Sequence, residues 1–263
     1  MSLTDDQFHR YARHLILDEV GEEGQEKLLA SRILIVGAGG LGSPLLLYLA
    51  AAGVGTIGVI DDDVVELSNL QRQVIHKTAS LDRAKVDSAM DTVAEINPEV
   101  RIVPHRLRLT AANAMEVLSG YDLVADGSDN FATRFLVNDA CYFAKTPLVS
   151  AALLRFDGQV STFKAHLGGD HPCYRCLFPE PPPADLIPRC EEAGILGAIA
   201  GAVGSLQAVE VLKELLGLGE SLSGHLLVYD GLSTTFRKIR IKRDPTCPLC
   251  GPQATIKDLS GHG

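Results

Sequence analysis

The segment RILIVGAGGLG at residues 32–42 constrains the fold more than any other part of this chain. It begins as a short apolar strand. Gly37-Ala-Gly39-Gly40-Leu-Gly42 follows without a spacer and runs into a helical stretch that reaches about residue 52. A Gly-x-Gly-x-x-Gly turn between a strand and a helix lets backbone amides approach a phosphate at the helix N-terminus. The next 100 residues keep the same rhythm. Strands read at 56–60, 100–104, 121–125 and 147–152, with helices at 82–96, 110–118 and 131–143 between them. Such alternation requires right-handed crossovers and a mainly parallel sheet.

The flanks extend this pattern. Thr4-Asp-Asp-Gln7 reads as a capping box, and Phe8, Tyr11, Ala12, Leu15 and Ile16 recur at helical spacing. His9, Arg10 and Arg13 lie off that stripe. Past residue 155 the alternation stops, and strands read at 158–164, 225–229 and 234–241. Among them lies an apolar stretch, 193–212, with glycines at 194, 197, 201 and 204. A membrane span needs about 20 apolar residues. Ser205, Gln207 and Glu210 interrupt this one, so it reads as a buried helix whose glycines admit another backbone. Residues 178–189 are proline-rich and read as an exposed irregular loop. The fold class expected is α/β: a Rossmann-like, mainly parallel sheet with helices on both faces, extended by C-terminal strands and, from the CxxC pairs Cys173/Cys176 and Cys247/Cys250, a zinc knuckle.

Composition removes several function classes. With 46% hydrophobic residues the chain has material for a core, which argues against disorder. A formal charge of −9 argues against nucleic acid as a partner. The polar N-terminus MSLTDDQFHR carries no export signal. A cytoplasmic protein without a membrane partner is expected.

Four of the six cysteines form two matched pairs, Cys173-Tyr-Arg-Cys176 and Cys247-Pro-Leu-Cys250. Four thiolates so arranged close a tetrahedron around one Zn²⁺ and leave no open position for catalysis. The expected role is a structural staple that pins the second knuckle onto a distant loop. A redox-active CxxC is the rival reading, weakened because two matched pairs occur. Cys141 lies in an apolar helical run and reads as core. Cys190 follows the proline-rich loop.

Asp61 closes the second strand, 19 positions after Gly42, where an acid accepts hydrogen bonds from a ribose. Asn69 and Arg72 lie in the following run, Lys85 opens onto the next helix, and Asp129 and Asn130 end a later strand. Ligands bind at that edge of a doubly wound sheet. Two cations and an acid there suit a triphosphate with Mg²⁺ better than a dinucleotide. Each residue also has an ordinary reading: Arg72 and Lys85 as solvated charges, Asn69 as a turn residue, Asp129 as a helix cap.

In order, VGAGGLG (36–42), DDDVVELSNLQRQ (61–73), DGSDN (126–130), PCYRC (172–176) and CPLCG (247–251) resemble the ThiF/MoeB/HesA group, bacterial relatives of the ubiquitin-activating enzymes. The resemblance runs from about Phe8 to Gly251. It implies a homodimer with structural Zn²⁺ that uses ATP with Mg²⁺. The expected reaction is adenylation of the C-terminal Gly-Gly of a ubiquitin-like sulfur carrier, releasing pyrophosphate. The matched runs imply Gly37, Gly39, Gly40 and Gly42 at the phosphates and Asp61 at the ribose. They imply Asn69, Arg72 and Lys85 at the triphosphate, Asp129 at Mg²⁺, and Asp63, Ser68, Gln71 and Asn130 among the nucleotide contacts. Arg13 matches an arginine that reaches into the partner subunit's site. One ThiF-type unit over 1–263 is expected: N-terminal helices to 30, a nucleotide-binding core over 31–155, a carrier-binding and zinc region over 156–251, and a tail.

RYARHLIL and CEEAG look MoeB-like, which makes a MoaD-like carrier for molybdenum cofactor synthesis the expected substrate. The alternative is a ThiS-like carrier for thiamin, where the resemblance implies covalent linkage through Cys190. The sulfur donor is expected to be a separate protein. Two other classes compete. A nicotinamide-dependent reductase is disfavoured by DDDVVELSNLQRQ. A noncatalytic zinc-stapled scaffold has no use for Asn69, Arg72, Lys85 and Asp129 together.

Overall fold

The computed structural model describes residues 2–182 and 194–262. Five parallel strands form the centre: β1 (Arg32–Val36), β2 (Thr56–Ile60), β3 (Arg101–His105), β4 (Leu123–Asp126) and β5 (Leu148–Leu154). Their order is β3-β2-β1-β4-β5. Three antiparallel strands continue the same sheet beyond β5: β6 (Asp157–Phe163), β7 (His225–Asp230) and β8 (Thr235–Arg240).

Strand β1 shows why its sequence is apolar after the exposed Arg32. Ile33 and Ile35 face one core, and Leu34 and Val36 face the other. The first core is covered by α3 (Gly21–Ala30), α4 (Gly42–Ala51), α5 (Lys85–Ile96) and α9 (Gly197–Leu216). On the other face lie α6 (Ala114–Leu118), α7 (Phe131–Ala144) and the short α8 (Tyr174–Leu177). A side-chain period of two therefore serves two layers of helices.

The buried helix expected near 193–212 is α9. A Cβ on Gly204 would collide with Pro44 Cγ and lie 2.6 Å from Leu41 O, so this glycine lets α9 lie against the start of α4. Gly201 behaves otherwise: a Cβ there meets nothing within 4 Å. No helix among the described residues is long and apolar enough to cross a membrane.

The N-terminal capping box forms, with Thr4 Oγ1 accepting from Gln7 N and Gln7 Oε1 from Thr4 N. The single helix expected from it divides at Tyr11 into α1 (Asp5–Arg10) and α2 (Ala12–Leu15). Tyr11 is buried, and its hydroxyl accepts a 2.9 Å hydrogen bond from Asn97 Nδ2, which also donates to Ala50 O. Gln25 Nε2 donates to Ala52 O, and Arg10 Nη1 to Ile96 O. The bonds to Ala52 O and Ile96 O reach carbonyls at the C-terminal ends of α4 and α5, while Ala50 O also accepts from Gly53 N. The N-terminal segment therefore lies at the opposite end of α4 from the glycine turn, about 15 Å away along a ten-residue helix.

All six residues of strand β8 are exposed. It is the sheet's edge, and Arg237, Lys238 and Arg240 there oppose pairing with another strand.

Candidate active site

The turn between β1 and α4 is built from the inside out. Gly37 takes φ +93°, and a Cβ on Gly42 would collide with Gly37 O, so both glycines are needed for closure. Gly37 N donates to Ile60 O, Ala38 N to Asp61 Oδ2 at 2.8 Å, and both Ser43 N and Ser43 Oγ to Gly39 O. The N–H groups of Gly39, Gly40 and Leu41 have no partner among the described residues. An unmade hydrogen bond at a buried amide costs about 1–3 kcal/mol. Three consecutive free donors at a helix start form a nest for an anion.

Around this turn the structure gathers most of the expected residues. Arg72 Cδ lies 3.7 Å, and Ala200 Cβ 3.4 Å, from where a Gly40 Cβ would stand. Arg72 is steadied by donation from Nη1 to Ser68 O at 3.0 Å. Asn69 is buried in a one-turn helix, Leu67–Asn69, and its Oδ1 accepts from Glu66 N. Its ordinary role as a turn residue is thus realised. Ser68 and Gln71 are exposed on the same run. A Cβ on Gly197 would collide with Gln71 O, so the N-terminus of α9 presses this run toward the glycine turn.

Asp61 and Asp63 stand at the end of β2. Asp61 accepts from Ala38 N and Asp63 N. Burial raises its pKa above the ordinary carboxylate value, while Lys85 and the two amides oppose that rise. Lys85, the first residue of α5, is buried, and its Nζ lies 2.7 Å from Asp63 Oδ2.

The loop after β4 abuts the turn. A Cβ on Gly127 would stand 3.1 Å from Leu41 Cβ and 3.3 Å from Gly42 N. Asp129 is exposed there, with its Oδ1 accepting from Asn130 Nδ2. The cap of α7 is Asn130, whose Oδ1 accepts from Thr133 N at 2.9 Å, so Asp129 is not the helix cap. Behind it Asp126 is fully buried, held by Ser128 N and Ser150 Oγ, and burial raises its pKa.

Arg13 is exposed on α2, at the far end of its own chain from this cleft. Cys190 lies outside the described residues.

Cys173, Cys176, Cys247 and Cys250 bring their sulfurs within 4.8 Å of one another. The separations Cys173–Cys247, Cys176–Cys250 and Cys173–Cys176 are 3.5, 3.4 and 3.9 Å. A tetrahedron of about 2.3 Å Zn–S bonds has edges of about 3.8 Å, so the sulfur set fits that ion. The knuckles have their own small core with Ala165 and Leu249. Hydrogen bonds among the four thiols push Cys247 below the ordinary thiol range and Cys173 and Cys250 above it, as closely packed sulfurs that share protons do.

Two residues at the turn had no expected role. Gln73 is buried, with Nε2 3.6 Å from the Gly39 Cβ position and Oε1 without a partner among the described residues. His76 is buried between Ala38 O and Ser88 Oγ. Nothing in the spacing of QRQVIH separates such a histidine from a core residue.

The family model for the ThiF family matches residues 11–249. This chain belongs to the ThiF family. Among ThiF-related proteins it is 50% identical over 261 residues to a Thermus thermophilus protein named sulfur carrier protein adenylyltransferase, covering 98% of this chain and 96% of the relative. It is also 50% identical over 251 residues to the SAMP-activating enzyme E1 of Haloferax volcanii, covering 95% of this chain and 92% of the relative. Adenylyltransferase and sulfurtransferase MOCS3 of Sus scrofa is 50% identical over 262 residues; the match takes 99% of this chain and 57% of that longer protein. The ThiF fold is shared with E. coli MccB, solved with MccA-N7isoASN, at a TM-score of 0.79 and 20% identity over 93% of this chain and 74% of that one.

Proposed function

We propose that this chain adenylates the C-terminal Gly-Gly carboxylate of a ubiquitin-like sulfur carrier at the expense of ATP. The observation that carries the reading is the nest of free Gly39, Gly40 and Leu41 amides with Arg72 and the buried Lys85 beside it. A dinucleotide needs the nest and Asp61 but not two cations. The name of the Thermus relative supports a sulfur carrier protein as substrate, and that of the Sus relative supports adenylyl transfer.

The chemistry follows from charge. A carboxylate oxygen of the carrier attacks the α-phosphorus, the bond to the β-phosphate bridging oxygen breaks, and acyl-AMP and pyrophosphate result. The nucleophile is already ionised, so no protein base is required. The barrier contains repulsion between two anions, and the chain's contribution is orientation and positive potential. The free amides and Gly40 receive the phosphates, with Gly37 and Gly42 shaping the turn. Arg72, Asn69 and Lys85 contact the triphosphate, and Asp61 meets the ribose. Asp63, Ser68, Gln71 and Asn130 line the nucleotide. Asp129 would hold Mg²⁺, which would add charge neutralisation; among the described residues its exposed carboxylate has one hydrogen-bond partner, Asn130, and oxygen to spare for a hard cation.

Arg13 completes the set from a second copy of the chain. The match of Arg13 to an arginine that reaches into the partner subunit's site supports trans action in a homodimer, and its exposure on α2, away from its own cleft, agrees with it. Zn²⁺ in the four-cysteine site supplies structure only. A MoaD-like carrier is the preferred substrate, on the MoeB-like RYARHLIL run, and a separate protein supplies the sulfur. Pyrophosphate exchange with a panel of purified carriers tests the reading. Carrier-dependent exchange, fastest with MoaD-like tails, is expected. Failure to form acyl-AMP with every Gly-Gly tail overturns it, and a strict preference for ThiS-like tails overturns the substrate assignment.

A further inference from the structure

His76 is 6% exposed, and both ring nitrogens are engaged at 2.9 Å. Its Nε2 meets Ala38 O. A carbonyl only accepts, so Nε2 carries the hydrogen, and the bare Nδ1 accepts from the Ser88 hydroxyl. One neutral tautomer satisfies both bonds. Burial, aided by nearby Lys85, keeps the imidazole pKa below its ordinary value.

The geometry carries this outward. In a planar trans peptide the C=O and the next N–H point in opposite directions. With Ala38 O bound by His76, the Gly39 N–H points away from the ring. Ala38 N–H is held by Asp61, and Gly39 O by Ser43. The peptide that begins the nest is therefore fixed on its inner side and free only at its amide. Ser88 lies on α5 three residues after Lys85, so one helix carries the buried ammonium and, through Ser88 and His76, the brace on the turn.

We propose that His76 is a positioning residue for polyphosphate binding: it locks the Ala38–Gly39 peptide so that the Gly39 amide faces the nucleotide. The proposal rests on the nucleotide reading above. A histidine serving packing alone would, when replaced, lower stability without singling out ATP.

The test uses the full chain with three variants. His76→Leu removes both bonds, His76→Gln keeps a donor for Ala38 O, and Ser88→Ala releases the tautomer. ATP affinity is measured directly without carrier, alongside KM for carrier and Tm. His76→Leu is expected to weaken ATP about tenfold, the scale of one lost hydrogen bond to a buried partner, with KM for carrier unchanged. His76→Gln recovers most of that loss, and Ser88→Ala gives a smaller one. Nitrogen NMR of ¹⁵N-histidine protein is expected to show His76 as the neutral Nε2–H tautomer. Wild-type ATP affinity in folded His76→Leu overturns the proposal. If that variant does not fold, wild-type affinity in Ser88→Ala together with an Nδ1–H tautomer in the parent does so. Parent protein that binds ATP without forming acyl-AMP overturns the adenylation reading alone, while parent protein that binds no ATP ends both.

Discussion

Lys85 and Asp63 form an ion pair of unequal burial: the lysine side chain is 7% exposed and the aspartate 66%, with 2.7 Å between Nζ and Oδ2. An ammonium withdrawn from water, with a solvated carboxylate at its tip and Asp61 within electrostatic reach, is held ready for a further anion. Lys85→Ala should lower carrier-dependent pyrophosphate exchange by about 10²–10³, the usual cost of removing one preorganised charge donor. Asp63→Asn frees the ammonium and should change exchange far less. Equal losses in both variants, measured under saturating carrier, would show that the pair acts as one unit.

The trans action proposed for Arg13 can be tested by mixing subunits. Arg13→Ala and Arg72→Ala are each expected to be nearly inactive alone. Random pairing of the two gives half heterodimers, each with one intact site, so an equal mixture should regain about a quarter of wild-type activity. No recovery after subunit exchange, checked by mass spectrometry, would overturn trans action and place Arg13 in the site of its own subunit.

Asp126 gives a pH signature in stability. Burial raises its folded pKa, so its contribution is fully present below the ordinary aspartate value of about 3.9 and is lost as pH rises through the folded value. Asp126→Asn removes this dependence. The Tm of the variant relative to wild type should therefore climb as pH rises from about 4 toward neutrality. A Tm difference independent of pH would mean that Asp126 keeps an ordinary carboxylate pKa.

Gly204 tests the packing of α9. A methyl group there meets Pro44 and the Leu41 carbonyl, so Gly204→Ala should destabilise by about 1–3 kcal/mol, the range for overpacking a dense interior. Gly201→Ala meets open space and should be neutral or slightly stabilising. Urea unfolding of the pair reads the contrast.

Much of this was legible in the sequence because it rests on local rules. The run 32–36 marks β1 to the residue: after the exposed Arg32, four buried apolar positions follow without a break, as a strand covered on both faces requires. The paired cysteines fix their cluster by chemistry alone. What escaped depends on distant contacts. Tyr11 fits a helical stripe, yet the helix breaks there because its hydroxyl is claimed by Asn97. The helix expected from residue 82 begins at Lys85, because Asp82 takes a left-handed φ of 63° and Ala84 is extended. His76 resembles any histidine among apolar neighbours until the fold brings Ala38 and Ser88 to its two nitrogens.

The two cysteine pairs are separated by 74 residues. At about 5–20 residues per second of synthesis, the first pair leaves the ribosome roughly 4–15 s before the second exists. During that interval Cys173 and Cys176 are half a chelate, open to oxidants and to stray metals. Newly made molecules thus pass through a vulnerable age, and cells under oxidative stress should lose this protein while it is being born rather than after it has matured.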